Sequence, residues 1–183
     1  LDTYGLTFPE DMPLAARNFV LTARAEFEKN NWAKLPKNNE YTKWYYHDNR
    51  EIGWCSVFQI YCAYHSVLQL IRYKQDVTVE PGACISAMEG RVGNVRLAFE
   101  EHGRWVDGTK GGVPKPGYLV IYGVRASTPY THVAIVESVK EMGDGAPRQA
   151  SMNSVCSSSG FLEKYRRLWM SEERSLNAGN RKP

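Results

Sequence analysis

Ile52-Gly53-Trp54-Cys55-Ser56-Val57-Phe58 leads from a polar, aromatic-rich stretch into an apolar run. From Trp54 to about Tyr73, the residues Trp54, Val57, Phe58, Tyr61, Tyr64, Leu68 and Ile71 fall on one helical stripe. The spacing predicts one helix over that span, central to the core. Cys55 then stands in its first turn. N–H groups of a first turn have no acceptor within the helix, and the positive end of the macrodipole favours an anion there. The thiolate is the nucleophilic form of cysteine, so Cys55 is a candidate nucleophile. Cys62, one helical face below, reads as a small buried apolar residue.

Upstream, residues Pro13 to Glu28 carry Ala16, Phe19, Val20, Ala23 and Phe27 at helical spacing. Pro13 suits a first helical turn, and Asn30-Asn31 suits a stop. Residues Trp32 to Gly53 are polar and aromatic without periodicity, including Tyr41-Thr42-Lys43-Trp44-Tyr45-Tyr46-His47. A stretch of that length reads as an ordered loop near a site. Downstream, Val92 to Glu101 is a shorter helix that stops at His102-Gly103.

The pattern then changes. Gly108 to Gly117 is rich in Gly, Pro and Lys and reads as a loop. Tyr118 to Tyr122 and His132 to Val139 read as strands. Gly143-Asp144-Gly145 is a turn, Gln149 to Val155 a third strand and Leu162 to Trp169 a fourth. Helices first and an antiparallel sheet afterwards make an α+β domain. Residues 1–170 form that domain, and 171–183, polar and without an apolar period, form a tail or linker.

With 183 residues and 43% apolar side chains, the chain suits one domain with a substantial core. No run approaches the roughly 18 apolar residues of a membrane helix. The opening residues show no basic region followed by an apolar stretch, so no signal peptide is expected within them. Absence of an initiator methionine fits a processed or excised segment. A net charge of +3 helps binding to an anionic polymer such as a bacterial wall or nucleic acid and does not choose between them. No dense Lys/Arg stripe points to nucleic acid. The four cysteines are too few for a disulfide scaffold and show no paired zinc spacing. Cys84 and Cys156 are a possible pair in an oxidising compartment. Neither a metal nor another cofactor is expected.

Thr131-His132-Val133-Ala134-Ile135-Val136 places a histidine at the start of a strand. If the Cys55 helix packs on that strand, His132 can take the thiol proton and form a thiolate–imidazolium pair. The small Ala134, on the same strand face as His132, lets a helix approach closely. A base of this kind needs an orienting partner for its other ring nitrogen. Asn153, on the next expected strand, is the candidate. Glu137 is disfavoured, being about 16 Å along the strand and on the opposite face. His65 lies within the Cys55 helix and cannot fold back to it. His47 can line the cleft, and His102 sits at a helix end. The plainer reading of Cys55 and His132 is structural: a core cysteine and a strand-end histidine.

Several stretches together resemble the CHAP family of cysteine amidases and peptidases. They are Lys43-Trp44-Tyr45, Trp54-Cys55-Ser56-Val57-Phe58, Tyr61-Cys62-Ala63, Pro114-Lys115-Pro116-Gly117 and His132-Val133-Ala134-Ile135-Val136, in that order. The likeness runs from about residue 13 to 169. It implies a papain-like fold, with N-terminal helices packed on a C-terminal antiparallel β-sheet. It also implies hydrolysis of amide bonds, most often in bacterial peptidoglycan. By position, the family's nucleophile falls on Cys55, its base on His132 and its polar third member on Asn153. Ser151 stands where the family carries a glutamate, and Tyr118 where it carries an aspartate.

The resulting expectation is a secreted, bacterial or phage hydrolase of peptidoglycan or its peptide stems, acting in the cell wall or periplasm as a monomer. It would be a muramoyl–alanine amidase or a peptide endopeptidase. Trp44, Tyr45, Tyr46 and Trp54 are expected to wall the cleft and bind substrate, and the Cys55 N–H to serve as an oxyanion donor. Alternatives are a degenerate module that binds wall fragments without cutting them, and an antibacterial effector amidase.

Overall fold

The computed structural model describes residues 3–30, 35–108, 112–122 and 132–139. In these, α1 (Leu14–Lys29), α2 (Glu40–Tyr46) and α3 (Cys55–His65) are followed by β1 (Gln69–Ile71) and β2 (Ile85–Ala87). Then come α4 (Val92–Glu101), β3 (Leu119–Tyr122) and β4 (His132–Ile135). The chain is thus a mixed α+β protein. The expected strands 149–155 and 162–169, the turn at 143–145 and the tail 171–183 lie outside the described residues, as do Asn153 and Cys156.

Two elements match the sequence reading closely. Helix α1 is bounded by Pro13 and Asn30, and the Asn30 N–H closes on the Glu26 carbonyl at 3.2 Å. Pro13 caps the helix rather than entering it. Helix α4 ends at His102, and Gly103 takes the left-handed backbone (φ 63°) that stops it.

Three expectations need correction. First, the stretch read as loop contains α2. Asn39 caps it by accepting hydrogen bonds from the N–H groups of Tyr41 (2.9 Å) and Thr42 (3.2 Å). Its inner face is short, only Tyr41 and Thr42 being buried, so no apolar period develops.

Second, the central helix is much shorter than expected. It ends at His65, and Leu68 and Ile71, read as its last turns, belong to the turn and to β1. The Leu68 N–H bonds the Ala63 carbonyl at 3.0 Å while Val67 takes φ 58°. This is a Schellman-type ending with valine in the place that glycine usually fills.

Third, helices do not all precede strands. β1 and β2 pair in parallel, Gln69 beside Ile85 and Ile71 beside Ala87, before α4 begins. The strands are too short to show alternation. β3 and β4 pair antiparallel, Leu119 beside Ile135 and Tyr122 beside His132. The His132 strand ends at Ile135, short of the expected Val139, although the Val136 N–H still bonds the Tyr118 carbonyl at 2.8 Å.

The main core joins Phe19, Val20 and Ala23 of α1, Tyr41 of α2, Val57, Phe58, Cys62 and Ala63 of α3, and Ile135 of β4. A second cluster sets Val95 and Ala98 of α4 on Ile71 and Ala87. Helix α3 touches α1, α2, β1, β2 and β4. Polar Gln59 lies inside it, fully buried. Its amide donates to the Ala87 carbonyl at 2.7 Å and accepts from the Ser86 hydroxyl, clasping α3 to β2. Arg24 of α1 meets the buried Glu137 carboxylate, Nε to Oε1 at 2.6 Å, just past β4. Glu137 is thereby engaged with α1. Gly117, before β3, has φ 86°, which favours glycine, and a Cβ there would stand a tight 3.3 Å from Ala16 of α1 and from Met12.

Two stability outcomes follow. Val67 is 88% exposed, so it contributes little burial while bearing the left-handed strain of a β-branched residue. Val67→Gly should raise unfolding free energy by about 1 kcal/mol in urea titration; a loss of stability would contradict the strain. Gln59→Ala strips the buried Ser86 hydroxyl and Ala87 carbonyl of their partner, and should lower stability by about 1–3 kcal/mol.

Candidate functional site

Cys55 is the first residue of α3, as expected, and is half-buried. The residue before it, Trp54, offers no side-chain cap. The first helical bond to close is Phe58 N–H to the Trp54 carbonyl, at 2.8 Å. The N–H of Cys55 therefore lies in a turn where the helix itself supplies no acceptor. Cys62, seven residues on, is fully buried in the main core, as its spacing suggested.

His132 is the first residue of β4, and α3 packs directly on that strand. The elements carrying Cys55 and His132 are therefore neighbours. Alternation puts His132 and Ala134 on one face of the hairpin and Val133, Ile135 and Glu137 on the other. Register adds Tyr122 beside His132, and their rings stack with centroids 6.1 Å apart and planes tilted by 27°. The Nε2 of His132 is shielded from solvent. Burial pushes the Tyr122 phenol well above the usual tyrosine range, so the ring beside His132 stays neutral. Ala134 is buried, and the β4 residue that joins the core cluster with α3 is Ile135, from the opposite face.

The aromatic residues divide between two environments. Trp54 stacks on Tyr41 and meets Phe58 edge-on, both with centroids 5.9 Å apart, so it is tied into the core. Tyr46 meets Tyr45 edge-on at 4.7 Å and carries the Arg50 guanidinium over its ring at 4.4 Å. Trp44 lies against Tyr61, Tyr64 and His65, with centroid distances of 5.2, 5.5 and 6.2 Å. These three belong to the last turns of α3. At 1.5 Å rise per residue, Tyr64 stands about 13 Å along the axis from Cys55.

Trp44 and Tyr45 do line an open groove, of about 440 Å³, but its other walls are His47, Tyr64, Arg72 and Met88. So the structure gathers the expected aromatic pair at the far end of α3 from Cys55. His47 reaches the groove because it closes α2 in the left-handed conformation, φ 57°, with its N–H on the Lys43 carbonyl at 2.9 Å. Tyr64, placed on the core stripe of α3 by its spacing, is instead 57% exposed, and nothing in the sequence singled out Arg72 or Met88. Among the described residues, no group of three or more His, Cys, Asp or Glu side chains converges as a metal ion would require. No helix among them is long and apolar enough to cross a membrane.

No family model matches this chain, and no curated protein or solved structure matches it.

Tyr41 anchors the floor beneath these aromatics. Its hydroxyl donates to Glu26 Oε2 at 3.0 Å and accepts from Asn30 Nδ2 at 2.8 Å. Burial first, and the Glu26 charge second, hold its phenol far above the usual range. A phenol raised in the folded state gives stability that is complete below the unfolded value of about 10 and declines as pH climbs beyond it. Tyr41→Phe should cost about 1 kcal/mol at neutral pH through the lost hydrogen bonds. It should also flatten the alkaline decline in a melting series from neutral pH upward; an unchanged alkaline slope would exclude Tyr41 as its source.

Proposed function

We propose that this chain is a cysteine-dependent hydrolase of amide bonds, with Cys55 as nucleophile and His132 as base. The observation that carries the reading is the half-buried cysteine at the head of α3, with α3 packed on the strand that His132 opens. The finer fold we propose is papain-like, the helices resting on an antiparallel sheet of which β3 and β4 are one hairpin. The resemblance to CHAP domains supplies the substrate class: peptide-like amides of bacterial peptidoglycan, met in the cell wall or periplasm.

The reaction runs in two halves. His132 takes the Cys55 proton, and the sulfur attacks the carbonyl carbon. Negative charge on the carbonyl oxygen is met by the Cys55 N–H. The C–N bond breaks, and His132 returns the proton to the leaving amine. Water then attacks the thioester, giving its proton to His132, and the acid leaves as the Cys55 thiol is restored. Asn153 is assigned the orientation of the imidazole, by the resemblance.

A second reading is a wall-binding module without turnover. The separation of the aromatic groove from Cys55 favours it, because recognition would then need no chemistry.

Digestion of purified peptidoglycan, with mass analysis of the products, separates these readings. The expected outcome is cleavage at the muramoyl amide or within a stem peptide. Cys55→Ala should abolish it, and His132→Ala should slow it by about 10²–10⁴-fold, with both variants keeping the native circular dichroism. Binding to the wall without products would favour the module. Undiminished lysis by both variants would overturn the assignment of nucleophile and base.

A further inference from the structure

The groove at the C-terminal end of α3 holds a cation with no carboxylate partner. Arg72 follows β1 and is half-buried. Among the described residues, its one side-chain hydrogen bond runs from Nη2 to the Met88 sulfur, at 2.8 Å. A thioether is a weak acceptor, so a guanidinium with five donors is left largely unmatched by the protein. Glu89 stands next to Met88, yet its carboxylate turns elsewhere. Oε1 accepts from the Tyr73 N–H at 2.8 Å, and Oε2 from Asn94 Nδ2 at 3.4 Å. No carboxylate comes within 4 Å of Arg72 among the described residues, whereas Arg50 and Arg96 each have one and Arg24 has two.

Around this cation stand aromatic side chains, Met88 and the imidazole of His47. Trp44 and Tyr64 stand on one side with centroids 5.5 Å apart, and Tyr45 and Met88 lie beside Arg72. Trp44 is braced from behind by Tyr61 and His65. Tyr45 is steadied by Tyr46, edge-on at 4.7 Å. These rings are held before any ligand arrives, which keeps the ordering cost of binding small. The volume of about 440 Å³ suits a ligand of a few residues or a small molecule.

We propose that this groove binds the C-terminal carboxylate of a peptide whose last side chain is apolar or aromatic. The planar Arg72 fork matches a carboxylate in two parallel N–H···O bonds. Trp44, Tyr64 and Met88 take the adjoining side chain. A single cation suits a single negative charge better than a phosphate dianion, which is usually met by several donors. The groove is open, so the rest of the peptide can continue into solvent. Its position, about 13 Å along α3 from Cys55, makes this a second site, independent of the cysteine chemistry proposed above.

The test is calorimetric titration of the intact chain with acetyl-Ala-Ala-Phe as the free acid, with the same peptide as its C-terminal amide, and with 3-phenylpropionate. The acid peptide should bind and the amide should bind at least tenfold more weakly. Arg72→Met should weaken the acid by about 10–100-fold, the worth of a charge-assisted pair, and leave the amide unchanged. Arg72→Lys, which keeps the charge without the fork, should fall between. Trp44→Leu should weaken acid and amide alike. Melting curves confirm that each variant is folded. The proposal is overturned if the acid peptide fails to bind at millimolar concentration, or if acid and amide bind equally. It is also overturned if folded Arg72→Met binds the acid undiminished, or if phenylpropionate binds and the peptide does not. None of these results touches Cys55, so the site and the hydrolase reading fail separately.

Discussion

A helix covered on every side must settle its polar groups inside the protein. Helix α3 is in that position over Ser56, Val57, Phe58, Gln59 and Ile60, all buried, and opens at its end, where Tyr64 is exposed. An amide in such a place costs several kcal/mol if it finds no partner. Gln59 finds two on β2, and that clasp ties the parallel pair to the helix. The same helix presses on α1 and α2 through Phe58, Cys62 and Ala63 and meets β4 from the other half of the fold. A second internal bond, Arg24 to Glu137, joins α1 to the end of β4. Breaking either partner of such a pair leaves a charge buried in the interior, which is far costlier than losing a surface pair.

The two ends of α3 have different chemistry as a consequence. Its start is half-buried and presents Cys55 in a first turn whose N–H groups find no acceptor within the helix. Its end is wrapped by α2 and stopped abruptly by the left-handed turn at Val67. That turn sends the chain directly into β1, which delivers Arg72 to the groove beside Trp44 and Tyr64. Without the early stop, Arg72 would sit two helical turns further on.

Much of the local structure was legible along the chain. The stripes of α1 and α4 and their stops at Asn30 and Gly103 are local signals. The same is true of Cys55 at a helix start and His132 at a strand start. Other features were hidden for physical reasons. Leu68 and Ile71 happen to continue the helical period of α3, and valine gives no warning of a positive φ. β1 and β2 have three residues each, too few for alternation to show. The α2 segment buries only Tyr41 and Thr42, though Asn39 ahead of Glu40 was a cap in plain sight. The aromatic run at Trp44 reads as the wall of a cleft around Cys55, whereas Trp44 and Tyr45 line a groove with Tyr64, at the other end of the neighbouring helix.

By itself, then, the sequence determined the helices with long apolar faces, the mixed α+β class and the placing of Cys55 and His132 at the heads of their elements. Periodicity and caps depend on neighbours within a few residues, so they can be read in order. Tertiary structure alone decided where α3 stops, that β1 and β2 lie parallel, that Glu137 is paired from α1, and that Trp44, Tyr64, Arg72 and Met88 face one groove. Those outcomes rest on burial and on hydrogen bonds between segments far apart in the chain, and no local pattern records which distant partner will close them.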